Sequence, residues 1–284
     1  MADQHHAATL SFILSELNLS EQDLRAQNIA AEELLAVYND YVPRQPELNE
    51  IGELISKTLQ KSGSVHTTKY RLKDPLHLLQ KIIRKKKEYP NRNIDHLNYL
   101  DYINDLIGVR ALHIYKNDWV QTGQFIFANW NLKRRAHAYT REEDGKDELK
   151  VLALNECKVI THPAGYSAVH FVIKTKPGKQ RYYAEIQLRT LYEEAWSEID
   201  HYLRYPNHEH STLLDDLLQL LNKLTITTEQ IASDTWDLAR ALHKPNTEQH
   251  TKAETIAKLR AHISKLHIAE AEKQKLYLGI DKLV

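Results

Sequence analysis

Two acids and a cluster of cations carry the residue types and spacing that chemistry needs. Asp105 stands in Asn104-Asp105-Leu106-Ile107-Gly108-Val109-Arg110, where a polar segment enters an apolar, strand-like run. Glu185 lies in Arg181–Arg189, where alternation puts Ala184, Ile186 and Leu188 on one face and Tyr183, Glu185, Gln187 and Arg189 on the other. A face of Glu, Gln and Arg inside an α/β core needs partners, because a buried unpaired charge is costly. The plain alternative is a sheet side turned to solvent. Between Lys69 and Arg92, nine basic residues face only Asp74 and Glu88. That local field attracts phosphate even though the whole chain has 38 Lys and Arg against 38 Asp and Glu. Two carboxylates beside such a cluster suit a magnesium-bound triphosphate. The hard cation takes one or two of them and leaves its other positions to phosphate and water. Taken alone, the basic run also fits a solvated helix face.

The same run has internal order. Asp74-Pro75 reads as an N-cap followed by proline in the first helical position. Arg71 and Lys73 precede a helix end whose free amides favour anions. Lys73, His77 and Lys81 then share one stripe at four-residue spacing. Arg84, Lys85, Lys86 and Lys87 follow one to two turns on, expected past a nucleotide's phosphates and suited to a polynucleotide backbone. No Walker lysine loop, GxGxxG or kinase signature is present. Further along comes Gly165-Tyr166-Ser167-Ala168-Val169-His170. There a glycine permits a tight approach and Tyr166 offers a flat ring to a base, although a core tyrosine beside a turn is the commoner meaning of such a pair.

These residues need elements to hold them. The 284 residues are 42% hydrophobic and 27% charged, the balance of a folded chain. The single Cys157 excludes an intramolecular disulfide and a cysteine-rich zinc site. No run approaches the roughly 18 apolar residues of a membrane span, and no basic region precedes the first apolar stretch, so a cytoplasmic protein without membrane attachment is expected. Residues 1–62 read as helices, with one stripe from Leu10 to Leu17 and another, Leu48 to Leu59, starting after Pro46. Residues 63–206 read as a mixed α/β unit. Its strands are expected at Leu106–Tyr115, Val151–Ile160, Ser167–Lys174 and Arg181–Arg189, the last two joined through Lys176-Pro177-Gly178-Lys179. A helix is expected over Trp119–Leu132. Another opens on the capping box Thr190-Leu191-Tyr192-Glu193, with Leu191, Ala195, Ile199 and Leu203 inward. Residues 207–284 return to helices interrupted at Lys244-Pro245-Asn246. The three- and four-residue steps from Ile256 to Ala269 allow a short coiled-coil seam but more often mean packing onto the parent domain.

In this order the pieces resemble the synthetase domain of the RelA/SpoT family, the alarmone synthetases. The matching elements are Arg71-x-Lys73 with Lys81, the strand from Asp105 to Arg110, Gly165–His170 and Glu185-Ile186-Gln187-Leu188-Arg189-Thr190, over about half the chain. The resemblance implies an α+β fold, a mixed sheet of nucleotidyltransferase type flanked by N- and C-terminal helices. It implies transfer of the β,γ-pyrophosphate of ATP to the 3′-hydroxyl of GDP or GTP, with release of AMP. Carried over by motif, Arg71 and Arg110 pack on adenine, while Lys73 and Lys81 hold the phosphates with His77 beside them. Asp105 and Glu185 bind Mg2+, Glu185 is a candidate base, Gln187 and His170 line the site, and Tyr166 stacks on the acceptor base. Removing either acid is expected to leave the fold intact and even to relieve repulsion between them. Three departures matter. His162-Pro163-Ala164 replaces the usual Lys-Pro-Asn before Gly-Tyr, and His77 stands where serine is common. No His-Asp dipeptide occurs, so the hydrolase domain of long members is expected to be absent. The altered motif and the distal cations keep an alternative acceptor open, the 3′ end of tRNA, as in the toxic branch of the family. The flanking helices are candidate contacts for a second copy or a neutralising partner.

Overall fold

The computed structural model describes residues 8–141, 146–162, 165–204, 212–243, 249–266 and 268–281. Pro163, Ala164, the boundary at 206 and the interruption at 244–246 lie outside them. The chain opens with helices α1 (Leu10–Leu17), α2 (Glu21–Arg25) and α3 (Ala31–Leu59). The last runs unbroken through Pro43 and Pro46, where the sequence suggests a fresh start. Each proline removes a backbone donor. A buried stripe on both sides of them holds the helix together: Leu34, Val37 and Tyr41 before, Leu48, Ile51, Ile55 and Leu59 after. Burying such a side chain fully is worth about 1.5–3 kcal/mol.

Strands β1 (Thr67–Leu72), β2 (Ile107–His113), β3 (His137–Thr140), β4 (Lys158–Thr161), β5 (Ala168–Thr175) and β6 (Tyr182–Thr190) form one sheet. Its order is β1-β2-β6-β5-β3-β4. The β2–β6 and β3–β4 pairs are parallel and the other neighbours antiparallel. Helices α4 (Pro75–Glu88), α5 (Tyr99–Tyr102), α6 (Trp119–Asn129) and α7 (Lys146–Leu154) lie between strands, and α8 (Leu191–Arg204), α9 (Thr212–His243), α10 (Gln249–Lys265) and α11 (Glu270–Asp281) follow. This is the expected α+β architecture, a mixed sheet with flanking helices. Two strands escape the sequence reading, the short β3 and the mostly polar β1. A third expectation is corrected: Val151–Leu154 ends α7, and only Lys158–Thr161 is strand. A short apolar run does not distinguish the two states by periodicity.

Pleating gives the sheet two characters. Tyr70, Val109, Ile186 and Phe171 are register neighbours on one face, and the last three are fully buried. Helix α3 packs on this side, so closely that a Cβ on Gly52 would meet the Tyr70 ring at 2.7 Å. The other face carries two polar rows in register. One is Arg71, Gly108, Glu185 and Val172; the next is Lys69, Arg110, Gln187, His170 and His137.

On α8 the buried residues are Glu193 and Trp196, whereas Ile199 is 42% exposed and Ala195 also faces outward. The expected inward face is therefore rotated, because α9 covers this helix and Trp196 Nε1 donates to the Leu218 carbonyl at 3.2 Å. Ile256, Leu259, Ile263 and Ile280 bury one another with Leu238 and Tyr277, so α10 packs against α9 and α11 in a cluster separate from the sheet's core. Among the described residues no helix is long and apolar enough to cross a membrane.

Candidate active site

A cavity of about 610 Å³ opens on the polar face beside α4. Arg71, Lys73, His77, Lys81, Asp105, Arg110, Glu185 and Gln187 line it together, so eight residues chosen from sequence converge on one space. Lys73 is fixed by its backbone: its amide donates to the Leu106 carbonyl at 2.9 Å, and its carbonyl accepts from the Tyr41 hydroxyl at 2.6 Å. Helix α4 starts as the sequence requires, with Asp74 Oδ1 accepting from the Leu76 and His77 amides at 2.9 and 3.0 Å. That cap occupies two of the amides the sequence leaves free for an anion. The Lys73 and Lys81 side chains line the cavity beyond it.

Asp105 sits between cations. Its Oδ2 lies 2.9 Å from Lys73 Nζ and 2.7 Å from Lys81 Nζ. Burial pushes the Asp105 carboxyl up, but the Lys81 and Lys73 ammonium groups outweigh it and hold the group below the usual carboxylate range. The expectation that deleting this acid relieves repulsion is therefore corrected: its removal would leave two ammonium groups facing each other. The other oxygen, Oδ1, is buried and has no hydrogen-bond partner. A buried carboxylate oxygen left unpaired is costly, and a hard cation is the partner its chemistry suits. Glu185 supplies a second carboxylate across the same cavity. Its Oε1 accepts from Gln187 Nε2 at 2.9 Å and faces His170 Nδ1 at 3.5 Å. Among the described residues no three His, Cys, Asp or Glu gather to hold a metal alone. A cation here would share two carboxylates and complete its shell with ligand oxygens.

Arg110 is already engaged. It pairs with Glu194 Oε1 at 2.8 Å and with Glu198, while Arg189 Nε lies 2.9 Å from Glu194 Oε2. The sequence reading passed over Glu194 and Glu198, although two acids one helical turn apart directly after Glu185–Thr190 were a usable signal. Arg84 also borders the cavity, its side chain exposed and 3.6 Å from Glu88.

Tyr166 and His170 stand apart from that cavity. The Tyr166 hydroxyl lies 2.9 Å from His170 Nε2. The Tyr166 ring meets those of Tyr139, His162 and His170 edge-on, at 5.9, 5.5 and 5.9 Å. Burial pushes the Tyr166 phenol up to about 12 and the His170 imidazole down to about 4, so both are neutral near pH 7. Glu185 joins the two halves, since it belongs to the cavity and contacts His170.

Residues 70–210 match the family model described as a region found in RelA/SpoT proteins. Among solved structures, a GTP pyrophosphokinase family protein from Streptococcus pneumoniae is 19% identical with a TM-score of 0.48, covering 72% of this chain and 95% of that one. Small alarmone synthetase 1 from Bacillus subtilis, bound to its product pppGpp, is 17% identical with a TM-score of 0.49, covering 71% and 100%. Small alarmone synthetase 2 from the same organism is 19% identical with a TM-score of 0.42, covering 70% and 92%. No curated protein sequence matches the chain.

Proposed function

Residues 70–210 of this chain are a RelA/SpoT domain, and from that premise we propose a pyrophosphokinase that moves the β,γ-pyrophosphate of ATP to the 3′-hydroxyl of GDP or GTP and releases AMP. The observation that carries the reading is Asp105, clamped by two lysines through one oxygen while the other is buried and unpartnered. Lys73 and Lys81 take the donor phosphates, with His77 at the cavity's edge. Arg71 and Arg110 provide flat guanidinium groups for adenine, Arg110 on leaving Glu198. Asp105 and Glu185 would hold Mg2+, which would neutralise charge on the transferring phosphates. Glu185 is also placed to take the proton of the attacking hydroxyl, with Gln187 orienting its carboxylate. Tyr166 stacks on the acceptor base, and neutral His170 holds its hydroxyl. Such transfer depends mainly on positioning and charge neutralisation, and the cavity supplies both.

A second acceptor is favoured by one specific observation. Tyr89, 45% exposed beyond α4, is flanked by Lys85 and Arg92 at 5.9 and 4.1 Å from its ring. An aromatic platform between cations suits a polynucleotide strand, as the tRNA reading requires. The test is to incubate the protein with γ-labelled ATP and GDP, GTP, AMP or deacylated tRNA. Label on GDP or GTP supports the first reading; label on tRNA alone would replace it with the second.

A further inference from the structure

Gly165 has φ +70°, the left-handed region open to glycine, and its carbonyl is held from two directions. Arg141 Nε donates to it at 3.0 Å and Asn222 Nδ2 at 3.3 Å. That carbonyl belongs to the planar peptide that carries the Tyr166 amide, so fixing its plane fixes the direction in which Tyr166 leaves the turn. Asn222 belongs to α9, beyond the matched region, and is buried. The fit is close, since a Cβ on Gly165 would stand 3.0 Å from Asn222 Nδ2. Helix α9 is anchored to the same patch at a second point. Glu229 accepts from the Thr190 hydroxyl at 2.6 Å and faces Arg141 Nη1 at 3.7 Å, and Arg141 also pairs with Glu193. Arg141, Glu193 and Glu229 are buried together, an arrangement that is costly to break by removing one member. Thus α9 and the Gly165–Tyr166 peptide are tied together through Arg141 and Asn222 in one buried polar cluster.

We propose that Asn222 is a positioning residue for the acceptor: through the Gly165 carbonyl it sets the orientation of Tyr166, and α9 is part of the acceptor site. The inference rests on the reading of Tyr166 as the acceptor's stacking partner. The test compares steady-state transfer by the full-length wild type and Asn222→Leu, which keeps the side chain's shape and removes its donor. The KM for GDP should rise about tenfold, as loss of one buried hydrogen bond allows, while the KM for ATP and kcat stay within about twofold. An unchanged KM for GDP would overturn the inference. So would a parallel change in all three constants, the mark of a merely structural role. If Asn222→Leu does not fold, Asn222→Ser reads the same quantity, since its hydroxyl falls short of the carbonyl. Wild type that transfers nothing to any guanine nucleotide would strike the proposed reaction itself, and the inference with it.

Discussion

The two ends of the polar sheet face are built from the same strands and left in opposite states. Over β1, β2 and β6, charged residues surround an open cavity. Over β5 and β3, Tyr166, Tyr139, His162 and His170 fill the space with their own rings. The difference follows from the residue types. Lys73 and Lys81 are drawn onto Asp105, and Arg110 onto Glu194 and Glu198, so paired charges line the walls and leave the space between them open. Aromatic rings gain by closing on one another when no base lies between them. Under the proposed function the donor end is thereby preorganised, whereas an acceptor base would have to displace ring contacts before it could stack. Glu185 and His170 link the two.

The largest effect is expected at the donor end. Asp105→Asn should lower transfer about 10²–10³-fold, the scale of losing one preorganised electrostatic partner. Asp105→Ala should also destabilise the protein by about 1–3 kcal/mol, below the range for fully buried pairs because all three partners keep some contact with water. Thermal melting checks the second claim, and unchanged stability would remove the clamp from the description. Lys73→Ala and Lys81→Ala should each weaken ATP binding by about 1–3 kcal/mol. Tyr166→Ala should spare ATP and weaken the acceptor by a similar amount, about 1–3 kcal/mol. Calorimetry with each nucleotide separates the two ends, and a Tyr166→Ala variant defective in ATP binding would erase the distinction between them.

The acceptor end carries a pH signature. His170 is pushed down to about 4 by burial, whereas in the unfolded chain it titrates near 6.5. Between those values the unfolded state binds more protons. Stability should therefore fall as pH drops from 6.5 toward 4, by on the order of 1–2 kcal/mol at pH 5 from this residue. Burial shifts His113 and His137 the same way, while buried Glu193, pushed up, acts in the opposite sense. The contribution of His170 is thus read as the difference between wild type and His170→Gln in denaturant titrations at pH 7 and 5. Equal acid sensitivity in the two proteins would show that His170 is not buried as described. The smallest effect is expected from Glu198→Gln. It frees Arg110 from one half-exposed partner and should tighten ATP binding by no more than about threefold, since exposed pairs are worth about 0–1 kcal/mol. Weaker ATP binding would mean that Glu198 orients Arg110 rather than competing for it.

The donor end was legible because its logic is local. Strand alternation put Glu185 and Gln187 on one face, four-residue spacing aligned His77 and Lys81, and Asp74-Pro75 marked where α4 begins. That start leaves Lys73 outside the expected helical stripe, and its backbone bond to Leu106 brings it to the site. The partners were not legible. Asp105 lies 32 residues from Lys73 in sequence, and only the β1–β2 pairing makes them neighbours. Asn222 and Glu229 carry no motif, and their meaning comes from where α9 lands. The face of α8 was misjudged for a related reason. Its apolar residues pointed one way, but Arg141 and α9 draw Glu193 and Trp196 inward. Helix and strand remained interchangeable over Val151–Ile160, where a short apolar run satisfies either pattern.

The bond broken in ATP tests the proposed reaction most directly. With α-labelled ATP, Mg2+ and GDP, the label should appear in AMP, in amounts equal to the pyrophosphorylated guanine nucleotide, and both products should be lost together in Asp105→Asn. Label recovered in ADP, or ATP consumed without a modified guanine nucleotide, would contradict pyrophosphate transfer at this site.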